Sequence, residues 1–213
     1  MRRSDAVSYR EPRDAIAHDW VRLWAREQLR PLLIPSTWPD PVSLMRSFGA
    51  QALLLTNGED VELGMDDSTP SGQPRDISEA LLLREALMHK IPVLAVCRGL
   101  QFVQVYFGGP LCRDVSTLGE QHVAVEHDVQ LHGLFAEQVG QTQCTVNSFH
   151  RCGVTRCTLA KELVPLATTP QLVEAARHNT HPLLAVQWHP ERPGSCGELD
   201  RYLFGTWLRE SIP

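Results

Sequence analysis

Runs of hydrophobic residues alternate along the chain with segments whose apolar positions are spaced as in a helix. The continuous apolar runs, which predict strands buried on both faces, are 31–35, 51–56, 91–96 and 183–187. The segments with helical spacing are 14–30, 76–88 and 98–107, followed by a closing helix with Leu199, Leu203 and Trp207 at steps of four. This alternation favours an α/β fold in which helices flank a mostly parallel sheet.

The stretch 122–146 departs from this alternation. Its valines alternate with polar residues over 122–129, as in a half-exposed strand, so an antiparallel extension of the sheet is expected here. Shorter strands are predicted at 7–9, 143–146 and 171–176. The polar segment Glu62–Pro74 is expected to be a long loop after a strand end, where open α/β sheets bind their ligands.

The helix that follows this loop begins with an acidic pair. Asp76 and Glu79 are three residues apart, which resembles a capping box whose side chains bind backbone N–H groups at the helix start. Ile77, Leu81 and Met88 are then predicted to form the inner, apolar face of this helix.

Composition and charge limit the class of protein. The length of 213 residues suits a single domain over residues 1–213. Hydrophobic residues make up 43% and charged residues 21%, both ordinary for a folded soluble protein. The net charge of −5 argues against nucleic acid or an anionic membrane as the main partner.

Targeting signals and cysteine spacing are consistent with a cytoplasmic location. The N-terminal residues lack the apolar core of a secretory signal, and no run approaches the roughly 18 apolar residues of a spanning helix. The six cysteines include no CxxC pair and are too few for a disulfide scaffold. We therefore expect a reduced, cytoplasmic protein.

Cys97 ends an apolar strand, and Gly99 and a helical pattern follow at once. A strand–turn–helix of this kind lifts the turn residue above the sheet, as in the nucleophile elbow of hydrolases. The helix N-terminus is also expected to lower the pKa of the thiol. The alternative interpretation is a small buried cysteine at a strand end.

His189 and Glu191 follow the last apolar run, with Pro190 between them. Residues two apart in an extended chain point the same way, so both side chains can face one site. They would then supply the base that a cysteine nucleophile needs and the acceptor that orients this base. The alternative is an ordinary surface or core histidine, since the chain has nine.

Together these segments resemble the class I glutamine amidotransferase-like superfamily, in its γ-glutamyl hydrolase branch. The matching motifs are AVCRGLQ at 95–101, VNSFHRCGV at 146–154, VQWHPE at 186–191 and RD at 75–76. The resemblance implies a flavodoxin-like fold and cleavage of a γ-glutamyl amide through a γ-glutamyl thioester. It implies Cys97 as the nucleophile, His189 as the base and Glu191 as the residue that orients this base.

The resemblance also implies which groups surround the reacting carbonyl. The oxyanion hole would consist of the backbone N–H groups of Arg98 and Gly58. This chain has Asn57 where the family usually has a glycine, and the turn is expected to survive because asparagine tolerates left-handed dihedrals. Gln101 would hold the glutamyl moiety. The residues expected on the α-amino and α-carboxylate side of the substrate are Asn147, Ser148, Phe149 and His150.

No metal and no other cofactor is expected. His150, Cys152 and Cys157 lack a second pair of ligands at metal-binding spacing. The other cysteines, interpreted as inert small hydrophobes, are Cys112, Cys144 and Cys196.

The segment 8–20 has a weaker resemblance to hydrolases of γ-glutamyl-CDP-amidate. In that interpretation Arg10 and Arg13 meet a phosphate and line a leaving-group pocket together with Glu62–Pro74. The alternative is a solvated helix start with charges along one face.

Three functions remain open on the sequence alone. The first is a stand-alone hydrolase of a γ-glutamylated amine or amidate, such as γ-glutamyl-γ-aminobutyrate or γ-glutamyl-CDP-amidate. The second is a glutaminase subunit that delivers ammonia to a separate synthase partner. The third is a binding module without catalysis, against which the intact Cys97, His189 and Glu191 argue. The partner is a small-molecule γ-glutamyl substrate in the first two cases, and a homodimer stays open in all three.

Overall fold

A sheet of eight strands forms the centre of the computed structural model, which describes residues 2–4, 11–66 and 69–212. In chain order the strands are β1 (Arg2–Ser4), β2 (Arg13–Ala15), β3 (Leu53–Leu55), β4 (Gly64–Asp66), β5 (Thr69–Ser71), β6 (Val93–Val96), β7 (Val123–Leu131), β8 (Gln143–Phe149), β9 (Val154–Thr155), β10 (Leu163–Thr168), β11 (Leu172–His178) and β12 (Leu183–Val186). The central sheet has the order β3–β6–β12–β11–β10–β7–β8, with β9 paired to β11. Strands β1 and β2 form a separate pair, and so do β4 and β5.

Helices cover this sheet. In chain order they are α1 (His18–Arg26), α2 (Pro41–Ser47), α3 (Pro74–His89), α4 (Arg98–Tyr106), α5 (Gly133–Val139), α6 (Gly197–Arg201) and α7 (Leu208–Ser211). A π-helical turn, Tyr202–Trp207, joins α6 to α7. In the described part of the chain, no helix is long and apolar enough to cross a membrane.

Neighbouring strand residues point to two apolar cores on opposite faces of the sheet. Leu94 and Val96 of β6 pack in a core with residues of α1, α5 and the C-terminal helices. Val93 and Ala95 of the same strand pack in a second core with residues of α2, α3 and α4. Because β6 is buried on both faces, it reads as a continuous apolar run in the sequence.

The parallel part of the sheet consists of β3, β6 and β12. The remaining pairs of this sheet are antiparallel. The α/β class, with a parallel core and an antiparallel extension, is confirmed. The extension is larger than the predicted stretch 122–146, because β10 and β11 also belong to it. Strand β10 was not predicted because Pro165 interrupts the pattern of strand-forming residues. The register between β10 and β11 shifts beside this proline.

Two predictions near the N-terminus are corrected. The apolar run 31–35 is not a strand, and Pro31 and Pro35 each lack the N–H that a sheet ladder needs. The helix predicted from residue 14 begins only at His18, because Arg13–Ala15 pairs with β1 instead. The predicted strand at 7–9 and Arg10 lie outside the described residues.

The start of α3 also differs from the prediction. The segment before it carries the antiparallel pair of β4 and β5 rather than a plain loop. Asp76 and Glu79 do not form a capping box: the N-cap is Gln73, which makes no side-chain cap bond, and both carboxylates bind Arg98. Met88 is 63% exposed rather than on the inner face. That face is formed instead by Ala80, Leu82, Leu83 and Ala86, with Asp76 and Glu79 also buried beside Arg98.

Candidate active site

The turn between β6 and α4 has the sharp geometry that the sequence predicts. Cys97 has φ 54° and ψ −101°, a conformation that side chains rarely adopt, and its N–H donates to the carbonyl of Val186 at 2.7 Å. A Cβ on Gly99 would lie 2.5 Å from the carbonyl oxygen of Leu55, so only glycine fits there. These constraints place Cys97 at the carboxyl end of β6, beside the end of β12.

The thiol of Cys97 is buried, and this changes its expected acidity. Burial raises the pKa of Cys97 to about 12, and the nearby Glu191 carboxylate acts in the same direction. A hydrogen bond from the backbone N–H of Arg98 opposes both effects without outweighing them. The prediction that the helix N-terminus lowers this pKa is therefore wrong for the unliganded site. The thiol is therefore protonated near neutral pH.

His189 and Glu191 face each other just beyond β12, as the two-residue spacing predicts. His189 Nδ1 lies 2.7 Å from Glu191 Oε1, and both side chains are buried. A carboxylate oxygen can only accept, so Nδ1 carries the proton and Nε2 has a free lone pair. Among the described residues, His189 Nε2 has no hydrogen-bond partner, which means that a bond to Cys97 Sγ is not formed. Such bonds are often long or misaligned in unliganded sites.

The side chain of Asn147 is hydrogen-bonded to the segment around His189. Its Oδ1 accepts the backbone N–H of His189 at 2.8 Å, and its Nδ2 donates to the carbonyls of His189 at 2.9 Å and Pro193 at 3.0 Å. The side chain is 2% exposed. The side chain of Asn147 therefore fixes the backbone around His189.

The three residues after Asn147 divide between the interior and the surface. Ser148 is fully buried, with its Oγ 3.1 Å from His122 Nδ1. His150 is also buried, and burial together with neighbouring histidines lowers its pKa to about 3. Phe149 is 41% exposed, and its ring meets the His189 ring edge-on at 5.5 Å. Of the predicted lining residues, Phe149 is the one that combines exposure with contact to His189.

Gln101 lies in the first turn of α4, as predicted, but its amide nitrogen is already engaged. Gln101 Nε2 donates to the carbonyl of Cys152 at 2.7 Å, and His150 Nδ1 donates to the same carbonyl at 3.0 Å. Gln101 is 5% exposed. This amide thus joins α4 to the segment that follows β8.

The predicted oxyanion donors lie at two neighbouring strand ends. The backbone N–H of Arg98 is close enough to the Cys97 thiol to oppose the rise in its pKa. Gly58 is exposed and follows Asn57, whose Oδ1 accepts from Trp20 Nε1 at 2.8 Å. Among the described residues Asn57 is not one of those with positive φ, so the left-handed conformation expected for it is not needed. Its amide instead fastens this loop to α1.

The side chain of Arg98 lies in a buried ion-pair network with α3. Arg98 binds Asp76 Oδ1 at 2.5 Å and also binds Glu79, which in turn accepts from Arg75 Nε at 2.7 Å. The attraction of Arg98 and Arg75 outweighs burial and holds the pKa of Glu79 at about 2. For Asp76 burial outweighs Arg98 and raises the pKa. Sequence reasoning recognised these residues as motif positions but missed their contacts.

A cleft of about 380 Å³ opens beside Glu59 and Asp60, the two residues that follow Gly58 in the chain. It brings together the N-terminal segment and the segment 62–74, as the leaving-group hypothesis requires. Its lining residues are Pro12, Arg13, Asp14, Ser36, Thr37, Glu59, Asp60, Glu62, Gln73, Pro74 and Arg75.

Sequence reasoning missed a second group of polar residues near the site. Glu174 of β11 is 1% exposed, and His122 and His127 lie against it. The one sequence signal of this group is Glu174, a charged residue between the apolar Val173 and Ala175 of β11.

Comparison with known proteins gives consistent results. The γ-glutamyl-γ-aminobutyrate hydrolase PuuD of Escherichia coli K12 is 34% identical to this chain, over 68% of this chain and 64% of its own length. The γ-glutamyl-CDP-amidate hydrolase of Campylobacter jejuni is 27% identical over 90% of this chain and 88% of its own length. Among solved structures, the glutaminase domain of CTPS from Trypanosoma brucei, with bound acivicin, matches with a TM-score of 0.67 at 16% identity, covering 91% of this chain and 88% of that one.

The family model for peptidase C26 matches residues 2–191, a span that includes the Cys97 turn, the motif around Asn147 and the His189–Glu191 pair. By this match and by its fold, the chain belongs to the peptidase C26 family of class I glutamine amidotransferase-like proteins.

Proposed function

We propose that this chain hydrolyses γ-glutamyl amides with Cys97 as nucleophile, His189 as base and Glu191 as the group that orients the base. The single observation that carries the proposal is the buried His189–Glu191 pair beside the Cys97 turn. The hydrolase-named relatives support a hydrolase acting on carbon–nitrogen bonds other than peptide bonds.

The proposed reaction begins with proton transfer from the thiol to His189 Nε2. As the sulfur bonds to the γ-carbonyl carbon, the carbonyl oxygen becomes an oxyanion held by the N–H groups of Arg98 and Gly58. The C–N bond then breaks, and His189 returns its proton to the leaving amine. Because Glu191 holds the Nδ1 proton, it also stabilises the imidazolium that forms between these two transfers.

The second half of the reaction removes the γ-glutamyl group from the enzyme. His189 Nε2 takes a proton from water, the hydroxide adds to the thioester carbonyl, and the C–S bond breaks. The protonated His189 then supplies the proton that restores the thiol. The net change is one γ-glutamyl amide and one water converted to glutamate and one amine.

The cleft lined by Glu59 and Asp60 is the proposed place for the leaving amine, since these residues directly follow Gly58, one of the proposed oxyanion donors. Four carboxylate side chains line it against two guanidinium groups, those of Arg13 and Arg75. This balance favours a neutral or cationic leaving amine over one that carries phosphates.

The experiment that tests this function compares substrates without any partner protein. We expect glutamate release from γ-glutamyl amines with a kcat/KM at least about 10-fold above that for glutamine, because the leaving-group cleft contributes binding that ammonia cannot use. The panel includes cationic, neutral and phosphorylated leaving amines, assayed with and without cell extract. The Cys97→Ala variant measures the background.

One result would replace this proposal with the ammonia-donor alternative. That result is inert γ-glutamyl amines together with glutamine turnover that needs extract, because an amidotransferase holds back glutaminase activity until its partner is present.

Asn147 should affect catalysis through the position of His189. Asn147→Ala removes the bonds to the backbone at 189 and 193, and we expect kcat/KM to fall about 100-fold, mainly in kcat, since small misplacements of a catalytic group have effects of this size. Asn147→Asp keeps the acceptor for the His189 N–H and should recover part of this loss. Steady-state kinetics on folded protein, checked by thermal unfolding, measures both.

The control for this prediction is Asn179→Ala, because Asn179 is exposed in a turn away from the site. If Asn147→Ala changed only the unfolding temperature and left kcat intact, Asn147 would have no positioning role.

A further inference from the structure

A buried group of imidazole and carboxylate side chains lies beside the candidate active site and takes no part in the proposed reaction. Glu174 of β11 is surrounded by His122, which precedes β7, His127 within β7, and His150, which follows β8. Glu174, His122 and His150 are each at least nine-tenths buried. The rings of His122 and His127 have their centroids 4.5 Å apart, and those of His122 and His150 are 4.6 Å apart.

The distances within this group are too long for hydrogen bonds. Glu174 Oε1 lies 3.8 Å from His122 Nδ1 and 3.7 Å from His150 Nε2, and Glu174 Oε2 lies 3.7 Å from His127 Nε2. Among the described residues, neither carboxylate oxygen has a hydrogen-bond partner, nor do His127 Nε2 and His150 Nε2. Buried polar atoms without partners are rare because each costs about 1–3 kcal/mol.

Separations of this size fit ligands around a shared cation. Transition-metal bonds to imidazole nitrogen and carboxylate oxygen are about 2.0–2.2 Å long, so two ligands of one ion lie about 3–4 Å apart. One ligand atom from each of His122, His127 and Glu174 lies within 4.8 Å of the others.

The ring nitrogens on the far side of each histidine support the same arrangement. His150 Nδ1 donates to the carbonyl of Cys152 at 3.0 Å, and His127 Nδ1 faces the carbonyl of Asp128 at 3.3 Å. His122 Nε2 lies 3.0 Å from the carboxylate of Glu120. Each of these outer partners only accepts, so the proton sits on the outer nitrogen, and the inner nitrogens of His127 and His150 keep a lone pair without a hydrogen-bond partner among the described residues. The lone pair of His122 Nδ1 accepts from Ser148 Oγ at 3.1 Å, and this hydroxyl would turn away when the metal binds. Metal-binding histidines nearly always show this pattern.

We propose that His122, His127 and Glu174 bind one divalent transition-metal ion, with His150 Nε2 next to it. Imidazole together with carboxylate suits zinc, iron and manganese, whereas calcium prefers a set made of oxygen ligands alone. The ion would offset the negative charge of the Glu174 carboxylate, which is buried without a hydrogen-bond partner among the described residues.

The proposed ion has a structural role near the site rather than a role in the reaction. Gln187 N–H donates to the Glu174 carbonyl at 2.7 Å, two residues before His189. Holding Glu174 against β7 therefore fixes the strand end from which His189 extends.

Metal titration of the full-length chain tests this proposal. Protein made without a histidine tag is stripped with a chelator and titrated with zinc, and the dissociation constant is measured by competition with a chromogenic chelator. We expect one equivalent of zinc per chain and, at 100 times the dissociation constant, a rise of about 5–10 °C in unfolding temperature. Cobalt bound at the same site should give the absorption bands of a nitrogen and oxygen ligand set.

Variants of the ligands identify where the metal binds. Glu174→Gln and His127→Asn should each weaken zinc binding at least about 100-fold, since even outer-shell changes cost 10–100-fold. The control is His89→Asn, which removes an exposed histidine at the end of α3 and should leave binding unchanged. Two results would overturn the proposal: no stoichiometric zinc binding by the wild-type chain, or unchanged binding by folded Glu174→Gln. The first result is measured on the wild-type chain, so the test stays decisive even if a variant fails to fold. Neither measurement depends on γ-glutamyl hydrolysis, so the metal proposal and the proposed function can fail separately.

Discussion

Replacing Cys97 with alanine should lower the hydrolysis of γ-glutamyl amides by at least about 1,000-fold while the fold is retained. Without the sulfur no thioester can form, and loss of a nucleophile in comparable hydrolases costs up to about a million-fold in kcat. Alanine also has a Cβ, so the positive φ of this turn causes a similar backbone strain with either residue. Glutamate release, measured on protein whose unfolding curve matches that of the wild type, gives the comparison.

The control for this prediction is Cys157→Ser, since Cys157 is the exposed cysteine of the chain's described residues. It should retain full activity. A Cys97→Ala variant that kept more than about a tenth of the wild-type rate would remove Cys97 from the mechanism.

Loss of the Arg98 side chain should give the largest change in stability. Arg98→Met leaves Asp76 and Glu79 buried without their main counter-charge, and breaking a buried pair in this way costs about 3–5 kcal/mol. Methionine replaces much of the apolar part of the arginine side chain, so the decrease in the free energy of unfolding measures mainly the loss of the positive charge. Urea denaturation measures the free energy of unfolding.

A matched control and a rescue variant test the cause of this loss. Arg22→Met removes an exposed ion pair with Asp19 and should cost less than about 1 kcal/mol. Adding Asp76→Asn and Glu79→Gln to Arg98→Met should restore part of the lost stability, because the stranded charges are then gone. Equal losses in Arg98→Met and Arg22→Met would mean that the buried network contributes nothing special.

Local sequence patterns predicted the elements that position the candidate catalytic residues. Strands β6 and β12 are buried on both faces, so each appears as an apolar run whose end marks Cys97 and the His189 segment. The two-residue spacing of His189 and Glu191 correctly predicted that their side chains meet. Strand β10 could not be predicted in this way, because Pro165 breaks its pattern and the strand depends on its neighbours in the sheet.

By itself, the sequence determined the class of fold, the sharp turn at Cys97 and the pairing of His189 with Glu191, since these depend on residues close together in the chain. Only the tertiary structure decided the partners of Arg98 on α3, the attachment of Asn147 to the His189 backbone and the grouping of Glu174 with three histidines. These contacts join residues that are 19 to 52 positions apart along the chain. Spacing along one element tells which face a side chain occupies, whereas the order of strands and the packing of helices decide what that face meets.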